Sequence, residues 1–201
     1  MARKKSLARP LLIVALIAAA ATAAAISAGR LLTPPSFHGT AYQPTRKAAD
    51  FSLTDQSGHP LSLHELRGKT VLLFFGYTHC PDVCPLTLAK LDRAFTEIGA
   101  KPEQVRVVMV SIDPTRDTPQ ALASYLQRYG PAFSGVTGVP SQIAALAAAY
   151  GVDADPTAGG AHGMHTAAIF GIDRDGRLRV LIRPDGPQKE INEDIRALLH
   201  S

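Results

Sequence analysis

The feature that most constrains the fold is a run of five apolar residues, Val71 to Phe75, that breaks directly into GYTHCPDVCP, Gly76 to Pro85. A short, uninterrupted apolar run suits a strand buried on both faces. After the break, Leu88, Leu91, Phe95 and Ile98 recur at helical spacing, which predicts a helix from about Pro85 to Ile98. The segment therefore reads as strand, loop and helix. The loop holds Cys80 and Cys84, the chain's only two cysteines.

The remaining pattern alternates strands with helices. FSLTDQSGHPLSL, from Phe51, predicts a hairpin with Ser57-Gly58 at its turn. His59 and His64 fall there as isolated polar positions and read as solvated surface. RVVMVSID, Arg106 to Asp113, predicts a second buried strand. Thr118 and Pro119 are the cap and first-turn proline of a helix reaching Tyr129 and burying Leu122, Tyr125 and Leu126. A short strand over Phe133 to Thr137 precedes a helix over Ser141 to Tyr150, closed by Gly151. Asp153 to Met164 reads as a Gly/Pro/Ala loop. Strands at Thr166 to Ile172 and Leu178 to Ile182 flank Asp175-Gly176, a hairpin turn signal. A helix over Pro187 to Leu199, burying Ile191, Ile195, Leu198 and Leu199, ends the chain. This order is an α/β layer architecture. A strand–cysteine loop–helix opening followed by a closing hairpin and helix fits a thioredoxin-like fold with an N-terminal hairpin.

The first 30 residues stand apart. Arg3, Lys4, Lys5 and Arg9 precede an uncharged stretch, Leu11 to Gly29, which as a helix would be about 28 Å long. That length suits a retained membrane helix, while Ala23-Ala24-Ala25 also fits a small-residue cleavage site. The basic residues hold the N-terminus in the cytoplasm, so the domain lies across the membrane. Residues 31–47, with Pro34, Pro35 and Pro44, read as a linker, leaving 48–201 as the folded domain. The net charge of +4 belongs to the leader: residues 1–30 hold five of the 21 basic residues and no acidic one, so the rest has 16 basic against 17 acidic. The domain is not basic, and nothing argues for nucleic acid.

Two thiols four residues apart in an exported protein become oxidised unless they are kept reduced or bound to metal. Positions i and i+4 are helical neighbours, and a helix N-terminus favours thiolates, so both sulfurs are expected at an exposed loop tip with lowered pKa. A structural disulfide is the plain alternative, but a bridge closing so short a loop stabilises little. GMHTAAIFGID, Gly163 to Asp173, supplies an imidazole just before a strand. His165 adjoins the strand and is the favoured ligand, whereas His162 sits further out in the loop. Met164 reads as packing. His79 would leave an extended chain on the side opposite Cys80 and is assigned no ligand role. Two thiolates and one imidazole suit three-coordinate Cu(I), and also Cu(II) with a fourth group; zinc wants four ligands. Asp113, at the end of a neighbouring strand, is a candidate to support the metal loop from behind. Asp82 reads as a solvated turn residue.

GYTHCPDVCPLTLAKL (Gly76 to Leu91), VSIDPTRDTP (Val110 to Pro119) and MHTAAIFGIDRDG (Met164 to Gly176) resemble, in order, three motifs of the Sco/SenC family of membrane-anchored copper proteins. The likeness runs from about Phe51 to Leu199 and extends to the N-terminal anchor. It implies a thioredoxin-like domain facing the periplasm, or the intermembrane space in mitochondria. It implies copper held by Cys80, Cys84 and His165, and a part in building the dinuclear copper centre of cytochrome c oxidase. The implied partners are the oxidase's copper-bearing subunit and other copper chaperones or thiol reductants. The family often carries an acidic residue before the histidine, where this chain has Met164.

The expected function is copper delivery by a metallochaperone that is not an enzyme. The alternative is a thiol-disulfide oxidoreductase that reduces the oxidase's copper-site cysteines through a Cys80–Cys84 disulfide. The C-x-x-x-C spacing, and the lack of proline in Ala161 to Thr166, count against a general thioredoxin. A peroxidase needs an isolated reactive cysteine and fits poorly. A copper- or redox-signalling role shares every feature of the first reading.

Overall fold

The computed structural model describes residues 36–152 and 168–201, together with Ile13, Ile17, Ala18 and Thr22. Those four are helical, and the Thr22 hydroxyl donates to the Ala18 carbonyl. The remainder of the expected anchor lies outside the described residues, as do residues 31–35. Among the described residues, no helix is long and apolar enough to cross a membrane.

Residues from Ser36 onward form one compact unit. Its strands are β1 (Thr40–Lys47), β2 (Ser52–Asp55), β3 (Pro60–Ser62), β4 (Thr70–Gly76), β5 (Val105–Ser111), β6 (Phe133–Thr137), β7 (Ile169–Ile172) and β8 (Arg177–Ile182). Its helices are α1 (Val83–Ile98), α2 (Pro119–Leu126), α3 (Pro140–Tyr150) and α4 (Gln188–Leu199). The eight strands make one sheet in the order β1-β8-β7-β4-β5-β6-β2-β3. β4, β5 and β6 run parallel, and β7 returns antiparallel against β4. This mixed α/β core, with a closing β7–β8 hairpin and α4, is the thioredoxin-like arrangement that the sequence pattern predicts.

All seven residues of β4 are buried, as its unbroken apolar run requires. Its side chains alternate between two cores. Val71, Leu73 and Phe75 face Ile143, Leu146 and Tyr150 of α3, where Phe75, Tyr150 and Phe170 pack ring on ring. Leu72 and Phe74 face the other side, against Leu88, Leu91 and Phe95 of α1, Leu122 and Leu126 of α2, and Ile191, Ile195 and Leu198 of α4. Each such side chain contributes about 1.5–3 kcal/mol through burial. The Thr118 hydroxyl accepts from Ala121 N–H and caps α2, as predicted. In the β7–β8 turn, Asp173 Oδ1 accepts from Asp175 and Arg177 N–H, and Gly176 takes a positive φ of 69°. Both hairpins form where the turn residues place them.

Three differences from the sequence reading have local causes. α2 stops at Leu126 rather than Tyr129: Tyr129 N–H turns back to the Leu126 carbonyl, and its ring packs on Phe133 at 5.3 Å. The first of the two closing strands begins at Ile169 rather than Thr166: Ala168 lies outside it, and 166 and 167 are not among the described residues. Residues 40–47, read as linker, form edge strand β1, paired antiparallel with β8. An edge strand tolerates Pro44, since its outer side needs no donors. Half-buried and exposed side chains give β1 no apolar alternation to read.

The entry to β1 is tied down by a group the sequence does not advertise. Asp194 of α4 is buried, and its carboxylate accepts from His38 N–H at 2.6 Å and Gly39 N–H at 2.9 Å. Asp194→Ala leaves two donors without a partner and is expected to lower unfolding free energy by about 2 kcal/mol in urea unfolding. An unchanged midpoint would mean that the Asp194 carboxylate contributes nothing to holding the entry to β1.

Candidate metal centre

β4 and β5 pair in register to their last residues, Gly76 beside Ser111. Everything that follows either strand therefore emerges at one edge of the sheet. From Gly76 the chain makes a turn, closed by Cys80 N–H donating to the Tyr77 carbonyl, and enters α1 at Val83. The Asp82 side chain makes no capping bond, so the helix start needs another acceptor. The Cys80 sulfur serves: Cys84 N–H points to it at 3.4 Å, and Asp82 and Val83 N–H donate to it as well.

Cys84 occupies the first turn of α1 with its side chain turned inward, and the residue is only 6% exposed. Tyr77 N–H donates to its sulfur. A Cβ on residue 76 would lie 2.8 Å from that sulfur, so only glycine lets the strand end approach it so closely. Both cysteines are free thiols.

The two sulfurs differ in a way the sequence reading did not anticipate. Burial pushes the Cys80 thiol up, but the donors from the helix start outweigh it and leave its pKa below the ordinary value. Burial pushes Cys84 up to about 12, reinforced by the negative charge on Cys80 and Asp117. The expectation of two exposed, activated thiolates is corrected: Cys80 is partly buried with a lowered pKa, and Cys84 is buried with a raised one.

Asp117 is the functional candidate that sequence reasoning missed. Its side chain is fully buried. One oxygen accepts from Thr78 N–H at 3.0 Å and from the Ser111 hydroxyl at 2.6 Å, and the other accepts from the Thr78 hydroxyl at 2.6 Å. It thus pins the start of the cysteine loop to the end of β5. Its position directly before the Thr118 cap was the one available signal. Asp113 is buried too, but its carboxylate is held by the Thr115 hydroxyl and the Arg116 guanidinium within its own loop. Asp82, His59 and His64 are exposed.

The structure thus brings Cys80 and Cys84 together. His165, His162 and Met164 lie outside the described residues. Among the described residues, no group of three His, Cys, Asp or Glu side chains forms a metal cluster. Two sulfurs of unequal exposure at a helix start can bind a soft metal ion or exchange with a disulfide.

Comparisons with known proteins agree on one relationship. The family model described as SCO1/SenC matches residues 39–200. A Stutzerimonas stutzeri protein, provisionally named as copper-binding, is 39% identical over 142 residues, covering 69% of this chain and 70% of that protein. The mitochondrial SCO2 homolog of Mus musculus is 35% identical over 161 residues, covering 76% of this chain and 63% of that one. The solved structure of Bradyrhizobium japonicum ScoI with copper bound superposes with a TM-score of 0.65 at 37% identity, covering 76% of this chain and 99% of that one.

The thiol asymmetry has two measurable consequences. With the reduced protein at neutral pH, iodoacetamide is expected to alkylate Cys80 well before Cys84, read by peptide mass spectrometry. Equal rates would contradict the buried placement of Cys84. The Cys84 thiol also keeps its proton in the fold after it would ionise in the unfolded chain, so its contribution to stability falls as pH rises from 9.0 towards about 12. Cys84→Ser is expected to flatten that limb of the stability profile.

Proposed function

The chain belongs to the SCO1/SenC family, and from that premise we propose that it is a copper metallochaperone. It carries copper on Cys80, Cys84 and His165 and delivers it to the dinuclear copper centre of cytochrome c oxidase during assembly. The N-terminal stretch anchors it, with the domain facing the periplasm or the intermembrane space. Its partners are the oxidase's copper-bearing subunit and the chaperones or thiol reductants that load and reduce it.

The observation that carries this reading is the pair of sulfurs at the helix start, one partly buried and one buried. Soft sulfur donors select Cu(I), and a third, nitrogen donor completes a three-coordinate site. The topology supports His165 as that donor. Phe170 of β7 pairs with Leu73 of β4, so β7 begins at the edge from which the cysteine loop leaves. His165 precedes Ala168 by three residues, a stretch spanning at most about 10 Å. Copper is cargo here. Loading replaces the proton held by Cys84, so affinity rises with pH. Release proceeds by ligand exchange, with the oxidase's donors displacing this chain's donors one at a time.

Thiol-disulfide exchange is the second reading, favoured by the lowered pKa of the partly buried Cys80. Its thiolate would attack a target disulfide and expel one target thiolate. Cys84 would then lose its proton, attack the Cys80 sulfur and release the second target thiol. Two electrons pass to the target, and a Cys80–Cys84 disulfide remains. Cys84 must give up its proton in either reading; the likeness to a copper-bound ScoI structure favours copper.

Titrating Cu(I) into the reduced chain under competition from a chelator tests the site. One-to-one binding is expected, weakened about tenfold or more in His165→Ala and in each cysteine-to-serine variant. Affinity indifferent to all three substitutions would move the function to thiol exchange.

A further inference from the structure

His79 was set aside on the assumption of an extended chain, and the chain there is a turn. The bond from Cys80 N–H to the Tyr77 carbonyl places Thr78 and His79 at its tip. The Thr78 hydroxyl donates its one proton to Asp117 Oδ1 at 2.6 Å. The same hydroxyl oxygen lies 3.0 Å from His79 Nδ1. With its proton committed, that oxygen can only accept from the ring, so Nδ1 carries the hydrogen. Nδ1 also sits 3.8 Å from Asp117 Oδ1. The hydrogen-bond pattern puts hydrogen on Nδ1, so the neutral ring presents its lone pair at Nε2, on a side chain 56% exposed to solvent. Histidine ligands of metal ions donate their other ring N–H to a carboxylate, backbone carbonyl or water; here a hydroxyl bonded to a buried carboxylate takes that place.

We propose that His79 is a capture ligand for Cu(I): an oriented imidazole at the mouth of the cysteine loop that takes the ion first and passes it inward to Cys80. The proposal rests on the reading of the chain as a copper carrier. The donors stand in order of depth, with His79 at 56% exposure, Cys80 partly buried and Cys84 at 6%. An incoming ion, still held by its donor, meets Nε2 before either sulfur. A Cu–N bond forms to Nε2 as one bond to the donor breaks. A Cu–S bond to Cys80 then forms, any thiol proton leaves to solvent, and the Cu–N bond breaks. Copper stays Cu(I) throughout, so no oxidant or reductant is needed. Asp117 and Thr78 are positioning residues in this scheme, holding the exposed ring through Nδ1.

The test uses the reduced full-length chain in detergent, without oxygen, mixed in a stopped-flow instrument with Cu(I) bicinchoninate, whose loss of colour reports uptake. His79→Ala and His79→Gln are expected to take up copper about tenfold more slowly, with stoichiometry kept and equilibrium affinity within about twofold of the parent chain. Thr78→Val, which frees the ring but keeps it, is expected to fall between. Uptake by both His79 variants at the parent rate would overturn the proposal. So would a loss of equilibrium affinity as large as that in Cys80→Ser, which would make His79 a resident ligand. A parent chain that takes up no copper overturns the carrier reading and this proposal together. Slow capture by the His79 variants in a chain whose affinity ignores His165→Ala would support the capture role and overturn the resident ligand set.

Discussion

The register of β4 against its two neighbours is the constraint on which the rest depends. A fully buried strand with β5 parallel on one side and β7 antiparallel on the other fixes which chain segments meet at one edge of the sheet. The cysteine loop leaves from β4, the Asp113–Asp117 loop leaves from β5, and β7 begins there. A one-residue slip of β4 would send its core side chains to the wrong faces, since successive side chains alternate. The alternation of Val71, Leu73 and Phe75 against Leu72 and Phe74 between two cores therefore also fixes the site.

At that edge the helix start does its chemistry through one sulfur. Cys80 Sγ accepts from Cys84 N–H in the first turn of α1, and the helix start favours its charged form. Cys84, one turn on, lies against Gly76 and the β4 terminus with its proton retained. A pair that closes around a soft ion has in Cys84 a shielded second donor that gives up its proton when the metal arrives.

Much of the fold was legible from residues alone. β4, β5 and α1 announce themselves by apolar runs or a helical stripe, and Thr118 and Gly176 by their local chemistry. β1 was not legible, because an edge strand with mostly exposed side chains leaves no alternating pattern. The cysteine pair was visible from its spacing, but not its unequal burial, which depends on a glycine eight residues before Cys84 meeting its sulfur in space. Asp117 was hidden for a similar reason. Its partners Thr78 and Ser111 lie 39 and 6 residues away, and only the β4–β5 pairing brings them to it. Long-range satisfaction of a buried carboxylate leaves no periodic trace in a sequence.

The central claim is that two sulfurs and one imidazole hold the copper. X-ray absorption of the Cu(I)-loaded chain reads that donor set directly. The account expects a three-coordinate first shell of two sulfurs and one nitrogen, with the nitrogen lost in His165→Ala. A shell of sulfur alone, or a nitrogen that persists unchanged in His165→Ala, would contradict it.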